Sequence, residues 1–139
     1  MSPFVLDASV ALAWFVDDPI PLYAAKIRQV IEAGSRAIVP GLWALEMANG
    51  LSMAERRGKS TAQEVDHGLR QLEILTVSRI QIQTGTTSIR EAFVAARSFQ
   101  LTAYDAVYLE LAQREGLLLA TLDKGLRAAA VKAGVALLK

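Results

Sequence analysis

Four carboxylates occupy places in this chain where chemistry is readily built. Asp7 directly ends the apolar run Phe4, Val5 and Leu6, and Asp123 closes a second apolar run over residues 117–122. Asp105 falls in the first turn of a stretch with helical periodicity. Glu46 lies early on another helical stretch, where Leu42, Leu45 and Leu51 describe an almost wholly apolar surface. Each has an ordinary structural reading: Asp is a good helix N-cap, an acidic residue in a first turn complements the helix dipole, and a helical Glu is normally solvated. Glu46 fits that reading least well, because Glu is rarely buried unless it is paired or bound to a metal. Asn49, three residues on, shares its face and can bond to Glu46 or line the same cleft.

Taken together, the four change meaning. In an α/β layer fold, strand ends and helix starts converge on one crevice. Four carboxylates in a dry pocket repel one another strongly, so their coexistence calls for a divalent cation. With oxygen ligands only, the expected metal is Mg2+, with Mn2+ as a substitute. The chain has no cysteine and one histidine, His67, which leaves little prospect of a zinc site and no thiolate nucleophile. The chemistry that such a site serves is metal-assisted hydrolysis of a phosphodiester, with either one ion or two.

The elements that must position these residues follow from patterning. Residues 4–6 read as a first strand, with a short helix behind it that stops at Asp17, Asp18, Pro19 and Pro21. A helix over residues 22–33 ends at Gly34, and residues 37–39 form a second buried strand. The Glu46 helix runs from Leu42 to about Arg57. Ser60, with Gln63 three residues later, has the form of a capping box for the next helix. Residues 80–82 alternate like a strand, and Thr86 and Thr87 lead into a helix over 88–99 with Ile89, Phe93 and Ala96 facing inward. Thr102 caps the Asp105 helix, which Gly116 ends. Residues 117–121 are a strand fit for a central parallel position, and residues 135–138 are a last edge strand.

Composition sets the bounds. The 139 residues, 53% hydrophobic and 21% charged, suit one compact domain spanning 1–139. The start of the chain shows neither a basic leader nor a long apolar segment, so the expected location is the cytoplasm, with no membrane partner. Net charge is only +1, but if the four carboxylates form one site, fifteen basic residues face ten acidic ones elsewhere, a mild bias toward a polyanion.

The chain resembles the PIN-domain nucleases, and among them the toxin ribonucleases of toxin-antitoxin pairs of the virulence-associated-protein C (VapC) type. The resemblance is carried by Phe4 to Ser9, by Pro40 through Glu46 to Asn49, by Leu101 to Ala106 with Tyr108, Leu111 and Ala112, and by Leu119 to Asp123. It implies an α/β fold of three layers with a parallel sheet in the order 3-2-1-4-5 and helices on both faces. It also implies that Asp7, Glu46, Asp105 and Asp123 form the metal site, with Ser9 and Thr121 as supporting hydroxyls. Such toxins cut RNA and are held inactive by a small antitoxin, whose C-terminal segment enters the active-site groove. A homodimer follows from the resemblance and from the large apolar content, including Trp14, Phe15, Trp43, Tyr104 and Tyr108. A heterotetramer or larger assembly with antitoxin follows in turn.

Three other readings stand beside it. One is a metal-dependent nuclease with a DNA or RNA-processing role and no antitoxin. Another is a phosphatase with an aspartyl intermediate, but Asp7, Ala8 and Ser9 lack that class's Asp-x-Asp pair. The third is a binding protein whose carboxylates are caps and solvated side chains.

Overall fold

A computed structural model describes residues 2–85 and 87–139, so the expected lead-in at Thr86 lies outside the described residues. Four three-residue strands form one parallel sheet: β1 (Phe4–Leu6), β2 (Ala37–Val39), β3 (Ile80–Ile82) and β4 (Leu118–Ala120), in the order β3-β2-β1-β4. β1 is buried on both faces, as its unbroken apolar run requires. The helices are α1 (Ala8–Val16), α2 (Leu22–Glu32), α3 (Leu42–Arg56), α4 (Ala62–Ser78), α5 (Ile89–Phe99), α6 (Ala103–Glu115) and α7 (Lys124–Lys132). They pack in two groups: α1 gathers α2, α3 and α4 around itself, while α6 packs on β1, β4, α5 and α7. The result is the expected three-layer α/β arrangement. Among the described residues, no helix is long and apolar enough to cross a membrane.

The fifth strand is reduced to one bridge. Residues 135–138 take the outer place beside β4, but pairing is confined to Leu119 with Leu137, flanked by the bonds Leu119 N–H to Ala136 O and Leu138 N–H to Leu119 O. Gly134, at φ 75°, turns the chain out of α7 immediately before this segment, which leaves little length for a ladder. The tail is also held from its far side, where the Tyr23 hydroxyl donates to the Leu138 carbonyl at 2.6 Å.

Two further expectations are corrected. The cap of α4 is Thr61, not Ser60: the Thr61 hydroxyl accepts from the Glu64 N–H, and the Glu64 carboxylate accepts from the Thr61 N–H. Both Ser60 with Gln63 and Thr61 with Glu64 satisfy the motif, and the pair with the charged acceptor forms. On α5, the inward face is Ala95 with partly buried Ala92, Ala96 and Phe99, whereas Ile89 and Phe93 are 91% and 53% exposed. α5 is peripheral and has a neighbour chiefly in α6, so small residues face the contact and the larger ones face outward. The Arg97 guanidinium covers the Phe93 ring at 4.4 Å.

The close approach of α1 to α3 depends on Gly50. A Cβ added there would lie 2.4 Å from the Leu12 side chain. Gly50→Val is therefore expected to lower stability by about 1–3 kcal/mol through overpacking. Urea unfolding measures this, and an unchanged midpoint would show that Leu12 yields without cost.

Candidate active site

The register of β1 against β4 begins the site. Leu6 pairs with Ala120, and the Asp7 N–H continues the ladder to the Ala120 carbonyl at 2.9 Å. Asp7 and Thr121 are thus neighbours just past the carboxyl ends of two adjacent strands. The chain order reverses between these strands, since β2 and β3 lie to one side of β1 and β4 to the other, and open α/β sheets bind ligands at such a point.

Asp7 holds the N-cap position of α1, but its carboxylate does not cap the helix. The Ser9 hydroxyl donates to Asp7 Oδ2 at 2.6 Å, and the Thr121 hydroxyl donates to the same oxygen at 2.8 Å. Proton bookkeeping fixes these directions. Ser9 Oγ accepts from the Leu122 N–H at 3.0 Å, and Thr121 Oγ1 accepts from the Asp123 N–H at 3.0 Å. With a main-chain donor on each hydroxyl oxygen, each proton is aimed at Asp7, although the two hydroxyls lie only 3.4 Å apart. Asp7 is 5% exposed and Thr121 is fully buried.

The other three acidic residues come from separate elements. Asp123 is the N-cap of α7 and spends Oδ1 on the Leu126 N–H at 2.8 Å, so here the cap reading and the site position coincide. Asp105 sits in the first turn of α6, whose cap is Thr102 as expected, with the Asp105 N–H bonded to Thr102 Oγ1 at 3.2 Å. Glu46 is half-buried on α3. It does not engage Asn49, which is exposed; the Tyr108 hydroxyl of α6 donates to Glu46 Oε1 at 2.6 Å instead.

The four carboxylates sense one another. Burial pushes the Asp7 carboxyl above its ordinary value; the Ser9 and Thr121 bonds hold it down, and the Asp123 charge adds to the rise. Glu46 is raised by burial, against the pull of Tyr108, and further by Asp7 and Asp105. Asp105 is raised by burial, then by Asp123 and Asp7. Tyr108 is held far above the ordinary tyrosine range by burial and by Glu46, so it remains a donor. As they stand, no three acidic or imidazole side chains among the described residues close into a cage for an ion. The arrangement is an open acidic cluster around the carboxyl ends of β1 and β4, with oxygen donors suited to a hard divalent cation.

A protein-family model for the PIN domain matches residues 4–132. The chain belongs to the PIN-domain family. PIN domains are in general metal-dependent nucleases. The solved structure of PAE2754 from Pyrobaculum aerophilum is similar at a TM-score of 0.70 and 25% identity, over 93% of this chain and 87% of that one. FitAcB from Neisseria gonorrhoeae shares the fold at a TM-score of 0.65 and 17% identity, over 100% of this chain and 97% of that one. A domain of a functionally unknown protein from Methanocaldococcus jannaschii does so at 0.56 and 18%, over 100% and 92%. No curated protein matches the chain.

For this PIN domain, the raised carboxyls set a pH dependence. Above the ordinary values of 3.8 for Asp and 4.5 for Glu, the unfolded chain has released its carboxyl protons while folded Asp7, Glu46 and Asp105 still retain theirs in part. Raising the pH from there strips the folded state, so the stability that these groups contribute is lost as the pH climbs through their raised values. In chelator-treated protein, the urea midpoint should fall from mildly acidic to neutral pH, and Asp7→Asn should flatten that slope. A midpoint that rises over this range would contradict the electrostatic account.

Proposed function

We propose that this PIN domain is a Mg2+-dependent endoribonuclease and the toxin of a toxin-antitoxin pair. The observation that carries the nuclease reading is the gathering of Asp7, Glu46, Asp105 and Asp123, from four separate elements, at the switch point of the sheet. In this reading Asp7, Glu46 and Asp105 are the principal metal ligands, and Asp123, with one oxygen committed to its cap, completes or orients the site. The bound metal supplies an activated water and stabilises charge on the phosphate and the leaving oxygen. Ser9 and Thr121, whose protons both point to Oδ2, turn Asp7 and favour its anion against the burial that raises its carboxyl. The N-terminus of α6 favours the charged form of Asp105, against the burial and like charges that raise its carboxyl.

The partners follow from the same resemblance. An antitoxin segment would lie along α3, where Leu45 is 74% exposed beside Glu46 and offers an apolar anchor. An Arg from that segment would meet the carboxylates, since its planar fork matches them. For the homodimer, the compositional argument narrows: Trp14, Trp43 and Tyr108 are buried in the core, while Tyr104 is exposed, as are Ile89 and Phe93. These three supply apolar surface for a second copy, and light scattering at micromolar concentration should read a dimer; a monomer there would remove it.

Purified chain is expected to cut RNA with Mg2+ or Mn2+ and to stop in chelator, with DNA run in parallel to expose a different nuclease. Asp7→Asn or Asp105→Asn should abolish nearly all cleavage with circular dichroism unchanged, and Ser9→Ala or Thr121→Val should cost about 10- to 100-fold. Full cleavage in chelator sinks the mechanism. Expression of the wild-type chain should slow host growth, Asp7→Asn should not, and the product of a neighbouring small gene should restore growth. Cleavage without any growth effect or binding partner would leave a nuclease that is not a toxin.

A further inference from the structure

Among the four carboxylates, Glu46 is placed differently. Asp7 and Asp123 hold the N-cap positions of α1 and α7, and Asp105 lies in the first turn of α6, so each sits at the positive end of a helix. Glu46 is the fifth residue of α3, beyond the turn that benefits most from that end. It is also repelled by both Asp7 and Asp105. A half-buried Glu with three rotatable bonds would relieve this repulsion by swinging out to water.

One group opposes that swing. Tyr108 is fully buried on α6, one turn beyond Asp105 and on the same face, and its hydroxyl reaches Glu46 at 2.6 Å. The pairing repeats the chemistry at Ser9 and Thr121, where a hydroxyl donates its proton to a carboxylate. Here it links α6 to the Glu46 side chain of α3.

We propose that Tyr108 is a positioning residue: its buried hydroxyl holds the Glu46 carboxylate within range of Asp7 and Asp105 before a cation arrives, so that the site is assembled in advance. The inference rests on the metal-dependent reading above and assigns the neutral donor that offsets the repulsion in the empty cluster. Tyr108 touches no reacting atom in this role. It lowers the cost of gathering the ligands, and that cost is paid in metal affinity.

The test is Mn2+ binding by calorimetry to the full chain without RNA, for wild type, Tyr108→Phe, Glu46→Ala and the double variant. Tyr108→Phe should weaken Mn2+ binding about tenfold. In the Glu46→Ala background the same substitution should change nothing further, because the group it acts through is gone. Wild-type affinity in Tyr108→Phe overturns the proposal, as does an equal loss in both backgrounds, which would mark a purely structural role. A wild-type chain that binds no Mn2+ overturns the metal reading along with it. A second measurement needs no Tyr108 variant: the Tyr108 hydroxyl proton should appear in the wild-type proton NMR spectrum as a slowly exchanging downfield signal that Glu46→Ala removes. Its persistence in Glu46→Ala would assign the hydroxyl to another acceptor and overturn the proposal.

Discussion

The parallel pairing of β1 with β4 governs everything that follows it in the molecule. One register, Leu6 against Ala120, makes Asp7 and Thr121 neighbours, and the next few residues on each strand start α1 and α7 from the same spot. A shift of one residue would part Asp7 from the Thr121 hydroxyl and Ser9 from the Leu122 N–H. The shift is opposed by burial, because all of β1 is inside and each of its residues is apolar. Hydrophobic register and polar geometry therefore enforce the same answer.

Onto this frame the fold adds a crowd of negative charge and several means of tolerating it. Helix N-termini at α1, α6 and α7 face three of the carboxylates. Hydroxyls supply donors to Asp7 and Glu46, and those of Ser9 and Thr121 accept in turn from the main chain. These neutral devices temper, without cancelling, the burial and the lesser mutual repulsion that raise the carboxyls of Asp7, Glu46 and Asp105. A site left under such tension gains affinity for a cation from every residual unit of repulsion that the cation relieves.

How much of this was legible in the sequence depends on the range of the interaction concerned. The first four strands, most helix limits and the Thr102 cap are written in residues a few positions apart, and they read correctly. The carboxylates could be singled out because each departs from its local apolar surroundings. The cap of α4 was displaced by one residue because two overlapping motifs fit, and their local patterns do not rank them. The outward face of α5 was missed because Ile89 and Phe93 carry a helical stripe whether or not a partner covers it, and only the position of α6 decides which side is inside. Tyr108 counts in the sequence only toward the apolar content that suggests a dimer; it lies in the core, its hydroxyl acts on a residue 62 positions away, and no local pattern reports that bond. The fifth strand was overextended because apolar residues after a glycine suit a ladder, while the room to build one is a property of the finished sheet.

The close passage of α1 over α3 carries a consequence beyond packing. Gly50 lies one helical turn past Glu46, and Leu12, which fills the space above it, lies just over one turn past Asp7. The gap between the two helices is thus gauged about one helical turn from each carboxylate, by a side chain on one helix and the lack of any side chain on the other. The spacing of α1 from α3, the helices that carry Asp7 and Glu46, is set by a packing contact that touches neither carboxylate.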